Sequence, residues 1–302
     1  MKTLLRSLIV AALLAVASLS PASAVTYGTP DAGEHPYVGF TIFYDPAEDA
    51  WFSCSGTLLD ADTFLTAGHC AYGIGTEGVL RGTSGGTDAW VTVRDTTVLA
   101  GWPLRSQIGT IYPDVAALNV ARRAWLNNPS NGFVGATAYP HPDYDNFSGF
   151  PTNFDVGVME LDTGISLATY GALAPIGTVE ALLDGVKNPN SVLIESVGYG
   201  IQAIQPNPLD VETRYKSTSR IVETRGHASA SGNLHTLNNP SAVGGVGGTC
   251  FGDSGGPLFV NNTNQVVAVV SYGFSGTCHG ADYSWRVDTV DSHEFILPFL
   301  GT

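Results

Sequence analysis

The chain has 302 residues, enough for one large domain or two modest ones with real cores. Its 27 acidic residues outnumber 13 basic ones, giving a formal net charge of −14. That balance argues against nucleic acid or an anionic membrane as a partner.

The first 24 residues have the three parts of an export signal. Lys2 and Arg6 give a positive start, and residues 8–19 form a run that is apolar except for one serine. Residues 22–24 (Ala-Ser-Ala) form a small-x-small cleavage site. A membrane anchor is the alternative, but the run is shorter than the roughly 18 residues of a spanning helix. We therefore expect a secreted protein, extracellular or periplasmic, that starts at Val25 and does not engage the membrane after signal removal.

After the signal, short apolar runs alternate with turn residues, and the chain is rich in Gly, Thr and Val. This pattern predicts an all-β protein with two clusters of about six strands. The candidate strands of the first cluster are residues 37–44, 51–58, 63–67, 90–99, 133–139 and 156–161. Those of the second cluster are residues 192–197, 217–222, 257–259, 266–271 and 283–287.

Two segments are predicted to be helical. Residues 114–126 contain good helix formers and begin with a plausible N-cap in Asp114. Residues 290–300 have apolar residues on several faces, and Pro298 limits the helix there.

Three distant segments carry the residue types of nucleophilic catalysis. Residues 250–257 (Cys-Phe-Gly-Asp-Ser-Gly-Gly-Pro) frame Ser254 with glycines, which let backbone N–H groups approach a substrate closely. A serine becomes a useful nucleophile only beside a base and donors for an oxyanion. His69, in Leu-Thr-Ala-Gly-His-Cys, offers the base, and Asp155 offers a carboxylate at the start of an apolar strand. Taken singly, they also suit a loop serine, a structural histidine and a turn former.

In the order His, Asp, Ser, and with these flanks, the segments resemble the chymotrypsin (trypsin-like) family of serine endopeptidases. The resemblance implies two six-stranded antiparallel β-barrels with the active site in the cleft between them, and a short C-terminal helix. An N-terminal barrel of residues 25–163 would carry His69 and Asp155. A C-terminal barrel of residues 164–302 would carry Ser254, the oxyanion hole and the specificity pocket, with residues 1–24 as the signal. The stretch between His69 and Asp155 is long for a compact member, so residues 71–134 are interpreted as partly an insertion.

The resemblance also implies roles for the site residues. Ser254 attacks a peptide carbonyl, His69 carries the proton, Asp155 orients the imidazole, and the N–H groups of Gly252 and Ser254 form the oxyanion hole. The partners would be polypeptide substrates, and we expect a monomer without cofactor or metal. A catalytically silent binding or adhesion module is the main alternative. An α/β-hydrolase would need the order Ser, Asp, His.

Four cysteines in an oxidising compartment allow three pairings. The resemblance selects Cys54 with Cys70 and Cys250 with Cys278. A zinc site is disfavoured because the chain has no Cys-x-x-Cys pair.

The resemblance places the specificity pocket as well. Gly248 stands where a preference for Arg or Lys needs a carboxylate, and Thr249 adds only a hydroxyl. Phe251 would lie at the pocket mouth, and the backbone of Ser271, Tyr272 and Gly273 would pair with extended substrate as an added strand. Asp282 either points outward or gives the pocket a charge, depending on register. We expect an uncharged residue at P1 (the position before the scissile bond), aromatic or large aliphatic.

Asp253 precedes the candidate nucleophile and needs a partner if it is buried. In the family that partner is the α-ammonium group exposed by proteolytic activation. Residues 25–28 (Val-Thr-Tyr-Gly) resemble the mature start of the family, and Ala24, not Lys or Arg, directly precedes Val25. The hypothesis is that signal cleavage alone exposes Val25 to pair with Asp253. The alternative is that backbone donors hold Asp253.

Overall fold

A computed structural model describes residues 24–74, 86–202, 212–223, 232–239 and 247–301. The strands are β1 (Thr29–Pro30), β2 (Val38–Asp45), β3 (Ala50–Leu58), β4 (Thr63–Thr66), β5 (Gly86–Thr92), β6 (Val134–Pro140), β7 (Gly157–Leu161), β8 (Ala172–Leu173), β9 (Leu193–Gly198), β10 (Tyr215–Glu223), β11 (Asn233–Asn238), β12 (Pro257–Val260), β13 (Gln265–Gly273) and β14 (Gly280–Arg286). The helices are α1 (Val115–Leu126), α2 (Thr178–Leu183) and α3 (Val290–Ile296). Short 3-10 turns occur at Gly68–Cys70, Arg105–Gln107, Pro129–Asn131, Pro189–Ser191 and Leu297–Phe299.

The N-terminal barrel closes in the order β2-β3-β4-β7-β6-β5, with antiparallel pairing throughout. Its interior is filled by fully buried apolar side chains, among them Leu58, Phe64 and Met159. Gly56 allows close packing there, since a Cβ at that position would lie 2.5 Å from the Phe64 ring. Burial of these side chains supplies the main driving force for closure.

The C-terminal barrel closes in the order β9-β10-β11-β14-β13-β12, because β12 and β10 both pair with β9. Its core includes Ile194, Ile221, Leu234 and Leu258. Two short strands extend it: β1 pairs with β10, and β8 pairs parallel to β13. The predicted fold class, two six-stranded antiparallel barrels with a short C-terminal helix, is confirmed.

The strand predictions differ from the structure at β11 and β5, and the two-residue strands β1 and β8 were not predicted either. Strand β11 was not predicted, because its sequence Asn-Leu-His-Thr-Leu-Asn lacks a β-branched or aromatic run. The strand predicted over residues 90–99 instead spans Gly86–Thr92. The chain leaves the barrel there to reach the second one, where the Tyr199 hydroxyl donates to the Arg94 carbonyl at 2.6 Å.

Both predicted helices are present. The Asp114 side chain caps α1 by accepting the Ala117 N–H at 2.8 Å. Helix α3 ends at Ile296, and a 3-10 turn that contains Pro298 follows it. No helix in the described part of the chain is both long enough and apolar enough to cross a membrane.

The N-terminal segment ties the barrels together. Residues 29–30, expected within the N-terminal barrel, pair with β10 of the C-terminal one. Next along the chain, buried Asp31 accepts from the Nε of buried Arg214 at 2.8 Å. The Nη1 group of Arg214 donates to the carbonyls of Val38 at 2.9 Å and Val93 at 3.2 Å. A buried ion pair with these further hydrogen bonds is costly to break on one side, so it fixes how the barrels meet.

Candidate active site

The histidine and the aspartate meet because of strand pairing in the N-terminal barrel. Strands β4 and β7 pair antiparallel with Thr66 opposite Gly157, so the chain leaves β4 where it enters β7. His69 follows in the turn Gly68–Cys70, and Asp155 directly precedes β7. The Nδ1 atom of His69 lies 2.9 Å from Oδ2 and 3.1 Å from Oδ1 of Asp155. The His69 backbone N–H also donates to Oδ1 at 2.8 Å.

Asp155 is fully buried and has a further donor in the Ser271 hydroxyl, which contacts Oδ2. Asn153 supports that hydroxyl through Nδ2 at 3.4 Å. Phe154 has a φ of +47°, an uncommon backbone conformation for an aromatic residue. Its ring stacks on that of His141, with 5.2 Å between the ring centroids. The carboxylate is therefore held by both barrels, since Ser271 belongs to β13.

The contact fixes the protonation pattern of His69. An Nδ1–H that donates to Asp155 leaves Nε2 as the acceptor on the other side of the ring. Burial lowers the pKa of His69, but the charge and hydrogen bond of Asp155 outweigh it and raise the pKa above its ordinary value. This imidazole is oriented and is a stronger base than an isolated one.

The segment around Ser254 presents two backbone N–H groups. Those of Asp253, Gly255 and Gly256 donate to the carbonyls of Cys250, Val270 and Asp253, respectively. The N–H groups of Gly252 and Ser254 have no acceptor among the described residues. Gly252 has a φ of +95°, a conformation that side-chain-bearing residues rarely adopt. Two such donors, on either side of Asp253 in the sequence, suit an oxyanion.

The N-terminal barrel clamps this segment through Ser55, which follows Cys54 on β3. Its hydroxyl donates to the Gly252 carbonyl at 2.9 Å and accepts the Tyr199 N–H at 3.0 Å. Its backbone N–H donates to the Ser254 carbonyl at 2.8 Å. Ser55 was not predicted as a site residue, and only its position beside Cys54, a member of an expected disulfide, could have suggested it.

A cavity of about 250 Å³ opens beside Ser254. Its walls include His69 and Ser254 together with residues expected at the pocket: Thr249, Phe251, Ser271, Tyr272 and Gly273. Asp282 lines it as well, so this carboxyl points into the pocket and not outward. Phe147, which was not predicted, also lines the cavity. Gly248 and Gly252 are not among the lining residues.

Gly248 lies behind the pocket wall. Its N–H donates to the Thr26 carbonyl at 3.1 Å, and a Cβ there would come within 2.2 Å of the Asn238 side chain. The position therefore has no room for a carboxylate. The charge of the pocket comes instead from Asp282 on β14.

Asp282 is almost fully buried, and burial raises its pKa to about 6. Hydrogen bonds from Thr249 and Asn238 act in the opposite direction without cancelling the effect of burial. The Thr249 backbone N–H donates to Oδ2 at 2.8 Å. The pocket therefore contains a carboxyl group that changes charge close to neutral pH.

Two disulfides join the pairs that the resemblance implies, Cys54 with Cys70 and Cys250 with Cys278. The first ties the His69 turn to β3. The second joins two walls of the pocket, because both of its cysteines line the cavity. Each closes a short loop, which typically stabilises a fold by about 2–4 kcal/mol.

Val25 and Asp253, the expected activation pair, are both buried. The Asp253 carboxylate accepts the Gly200 N–H through Oδ1 and the Cys250 N–H through Oδ2, each at 2.8 Å. Backbone donors thus hold Asp253, as the alternative hypothesis requires. The segment that begins at Val25 docks beside the pocket, where the Thr26 hydroxyl donates to Asn238 at 2.9 Å.

Two described clusters have metal-ligating atoms within 4.8 Å of one another. In one, His69 lies near Cys54 and Cys70, whose sulfurs are joined to each other. The other contains His141, Asp143 and Asp291. There, Nδ1 of His141 accepts the Asp143 N–H at 3.1 Å and Nε2 lies 3.3 Å from Asp291. Both ring nitrogens are engaged, so neither cluster presents a ready set of ligands.

Comparison with known proteins gives a consistent result. The family model described as Trypsin matches residues 119–291, a span that includes Asp155 and Ser254 and begins after His69. No curated protein matches the chain. HL collagenase is similar in structure, with a TM-score of 0.59 and 14% identity over 92% of this chain and 99% of that chain. Human heparin binding protein gives a TM-score of 0.55 and 14% identity over 90% and 95%, respectively. At such identity, the structural likeness bears on the fold alone.

Proposed function

Because this chain belongs to the trypsin family, whose fold and family model are those of serine proteases, we propose that it is a secreted endopeptidase with Ser254 as its nucleophile. The observation that carries the proposal is the 2.9 Å contact between His69 and Asp155, in a cavity that Ser254 also lines. These three residues suit the roles of nucleophile, base and orienting carboxylate in the transfer of an acyl group to a serine.

In the proposed reaction, the Oγ of Ser254 attacks the carbonyl carbon of a peptide bond as its proton passes to Nε2 of His69. The negative charge of Asp155 stabilises the imidazolium that forms, and the N–H groups of Gly252 and Ser254 donate to the oxyanion. The imidazolium then protonates the leaving amine, and an acyl-enzyme remains. Water, activated by the same imidazole, hydrolyses that ester and restores the serine hydroxyl.

The proposed P1 residue is uncharged, as expected from the sequence, because Gly248 brings no charge and aromatic residues line much of the cavity. Asp282 modifies this preference. Entry of an apolar side chain is least costly when this carboxyl is protonated, and a basic side chain is favoured when it is ionised. The preference should therefore depend on pH.

For maturation, we propose that removal of residues 1–24 exposes the amino group of Val25. Val25 and Asp253 are both buried, as a pairing between them would require. The two backbone donors that already hold Asp253 favour the alternative. Extra residues before Val25 should lower activity, and a version so extended that keeps full activity would contradict this part of the proposal.

A catalytically silent binding module with the same fold is the competing proposal. The deciding experiment exposes a peptide library to the purified secreted protein and to its Ser254→Ala variant, with the N-terminus of each sample sequenced. Cleavage by the parent alone, at defined P1 residues, supports the endopeptidase. Absence of cleavage by both, or equal cleavage by both, contradicts it. A start at Val25 would support the proposed maturation.

A further inference from the structure

The segment between β5 and β6 builds a second cavity against the N-terminal barrel. Helix α1 and the turn at Arg105–Gln107 face β3 across a space of about 300 Å³. Two guanidinium groups, Arg105 and Arg122, line this space together with the indoles of Trp51 and Trp102. The segment thus forms a cationic, aromatic cavity that the proposed reaction does not use.

The two arginines are held without a counterion. Neither makes an ion pair with any residue in the described part of the chain, whereas the neighbouring Arg123 contacts Asp88 at 2.7 Å. Burial and the charge of Arg105 both lower the pKa of Arg122. Asp49 also lines the cavity, but it is one carboxylate against two cations and already accepts the Tyr44 hydroxyl at 2.6 Å.

The donors of the cavity are positioned in advance. The Nε of Arg122 donates to the Pro103 carbonyl at 3.0 Å, and its guanidinium carbon lies 5.1 Å from the Trp102 ring centroid. Its two terminal nitrogens have no acceptor within the described ranges. Asn119 accepts the Trp51 indole N–H through Oδ1 at 2.9 Å, so its NH₂ group is also available as a donor. A guanidinium fixed in this way suits bidentate binding of a carboxylate.

A continuous wall joins this cavity to the reacting serine. A third cavity of about 310 Å³ shares Trp51, Phe52, Ser53 and Leu99 with the cationic one. At its other end it is lined by Gly252 and by Phe251, which also lines the pocket beside Ser254. Residues before the scissile bond are expected along Ser271, Tyr272 and Gly273. The third cavity starts at Gly252 and extends toward the arginines, so it offers a course for the polypeptide after that bond.

We propose that the cavity lined by Arg105 and Arg122 is an exosite that binds an acidic side chain of the substrate, several residues C-terminal to the cleaved bond. This proposal rests on the proposed endopeptidase function. Glu212 lines the connecting cavity and disfavours an acid there, so the preference applies only at the far end. The exosite makes the enzyme selective for cleavage upstream of an acidic segment.

The test uses peptides with one cleavable bond, taken from the library experiment, in which a single Glu is moved stepwise through the positions after that bond. A matched series carries Gln instead. We expect kcat/KM for one distal Glu peptide to exceed that of its Gln partner by about tenfold, chiefly through KM. The preference should shrink at 0.5 M salt, because the pair is partly exposed.

Three variants sharpen the test. Arg122→Gln should remove the Glu preference without changing kcat for the Gln series. Arg220→Gln, on the C-terminal barrel, is the matched control and should leave the preference intact. Arg105→Glu changes an exposed residue and should reverse the preference toward Lys at the same distal position.

Equal kcat/KM for the Glu and Gln peptides at every position would overturn the exosite while leaving the endopeptidase in place. If the library experiment finds no cleavage, the proposed function fails, and tryptophan emission with uncleaved peptides that carry one Glu or one Gln at each position still tests the exosite. Titration of the distal Glu peptide should then change the emission of the parent but not that of Arg122→Gln. No change in the parent would overturn the exosite independently.

Discussion

The two barrels hold their parts of the site by different means. In the N-terminal barrel, the buried carboxylate of Asp155 accepts hydrogen bonds from His69 and from Ser271, so charge fixes the geometry. In the C-terminal barrel, backbone conformation positions Ser254, with Gly252 at a φ of +95° and Gly255 at +75°. The part of the site in the N-terminal barrel depends on the Asp155 carboxylate, whereas the part in the C-terminal barrel depends on close packing of the backbone.

In the segment that carries Ser254, close packing allows only glycine at position 255. A Cβ at position 255 would lie 2.0 Å from the Thr66 hydroxyl and 2.6 Å from the Ser55 carbonyl. The nucleophile segment is therefore pressed against the opposite barrel, and any side chain at that position would push the barrels apart. Removal of the Asp155 charge should therefore cost activity, whereas loss of a packing contact around Ser254 should cost activity and stability together.

The largest effect is expected from Asp155→Asn. The amide can stabilise the wrong tautomer of His69 and carries no charge to offset the imidazolium, so turnover should fall by about 10⁴-fold. Steady-state hydrolysis of a chromogenic ester or amide measures it. Asp143→Asn, at an exposed carboxylate in the preceding loop, is the control and should be nearly neutral. A loss of less than tenfold in Asp155→Asn would contradict the role assigned to the Asp155 charge in supporting His69.

The dependence of kcat/KM on pH tests the contact between His69 and Asp155 without a mutation. His69 must be neutral to accept a proton, and Asp155 raises its pKa above 6.5. Activity should therefore rise with pH through a midpoint above 6.5, and two pH units below that midpoint it should be about a hundredfold below its high-pH plateau. Because the folded pKa is raised, the pair adds stability below 6.5 that is lost as pH climbs through the folded value. A midpoint below 6.5 in kcat/KM would contradict the assigned contact.

Ser55→Ala tests the segment around Ser254, which is positioned by backbone conformation and packing. It removes the cross-barrel hydrogen bond to the Gly252 carbonyl, so kcat should fall by about tenfold and stability by about 1 kcal/mol. Hydrolysis of a substrate whose leaving group is only a chromophore measures kcat, and urea unfolding measures the stability. Ser53→Ala, at an exposed position of the same strand, is the control. Unchanged kcat in Ser55→Ala would show that the clamp does not position the oxyanion donors.

The smallest effect concerns the pocket. As Asp282 ionises near pH 6, the kcat/KM ratio of a basic P1 substrate to an apolar one should rise a few-fold between about pH 5 and pH 7. Both substrates share the ionisation of His69, so the ratio cancels it. Asp282→Asn should flatten the ratio, and Asp291→Asn, at an exposed acid, should not. A ratio independent of pH in the parent would remove Asp282 from substrate selection.

Much of the architecture was predictable because short apolar runs between turn residues encode strands directly. Strand β11 was not, since its polar side chains are accommodated only by tertiary contacts. Asn238, for example, is fully buried and bonds to Thr26, which is 212 residues away in the sequence, and to the Thr249 carbonyl, which lies outside the strand. Helix α1 was predictable because its cap is local: Asp114 bonds three residues ahead.

The site shows the same division between local and distant determinants. His69, Asp155 and Ser254 lie in compact motifs and could be named from the sequence. Ser55 contributes through its partner in the other barrel, and Arg105 and Arg122 through a cavity that exists only when α1 packs on β3. The sequence also could not show that Gly248 lies behind the wall, since that depends on how Asn238 packs.

The most direct test of the account is covalent labelling with a fluorophosphonate, which reacts with a serine only where a base and oxyanion donors activate it. Mass spectrometry of the digested protein should find one phosphonyl adduct, on the peptide that contains Ser254. His69→Ala should slow its formation by several orders of magnitude. An unlabelled Ser254, or labelling at the same rate without the imidazole, would contradict the claim that the two barrels together activate this serine.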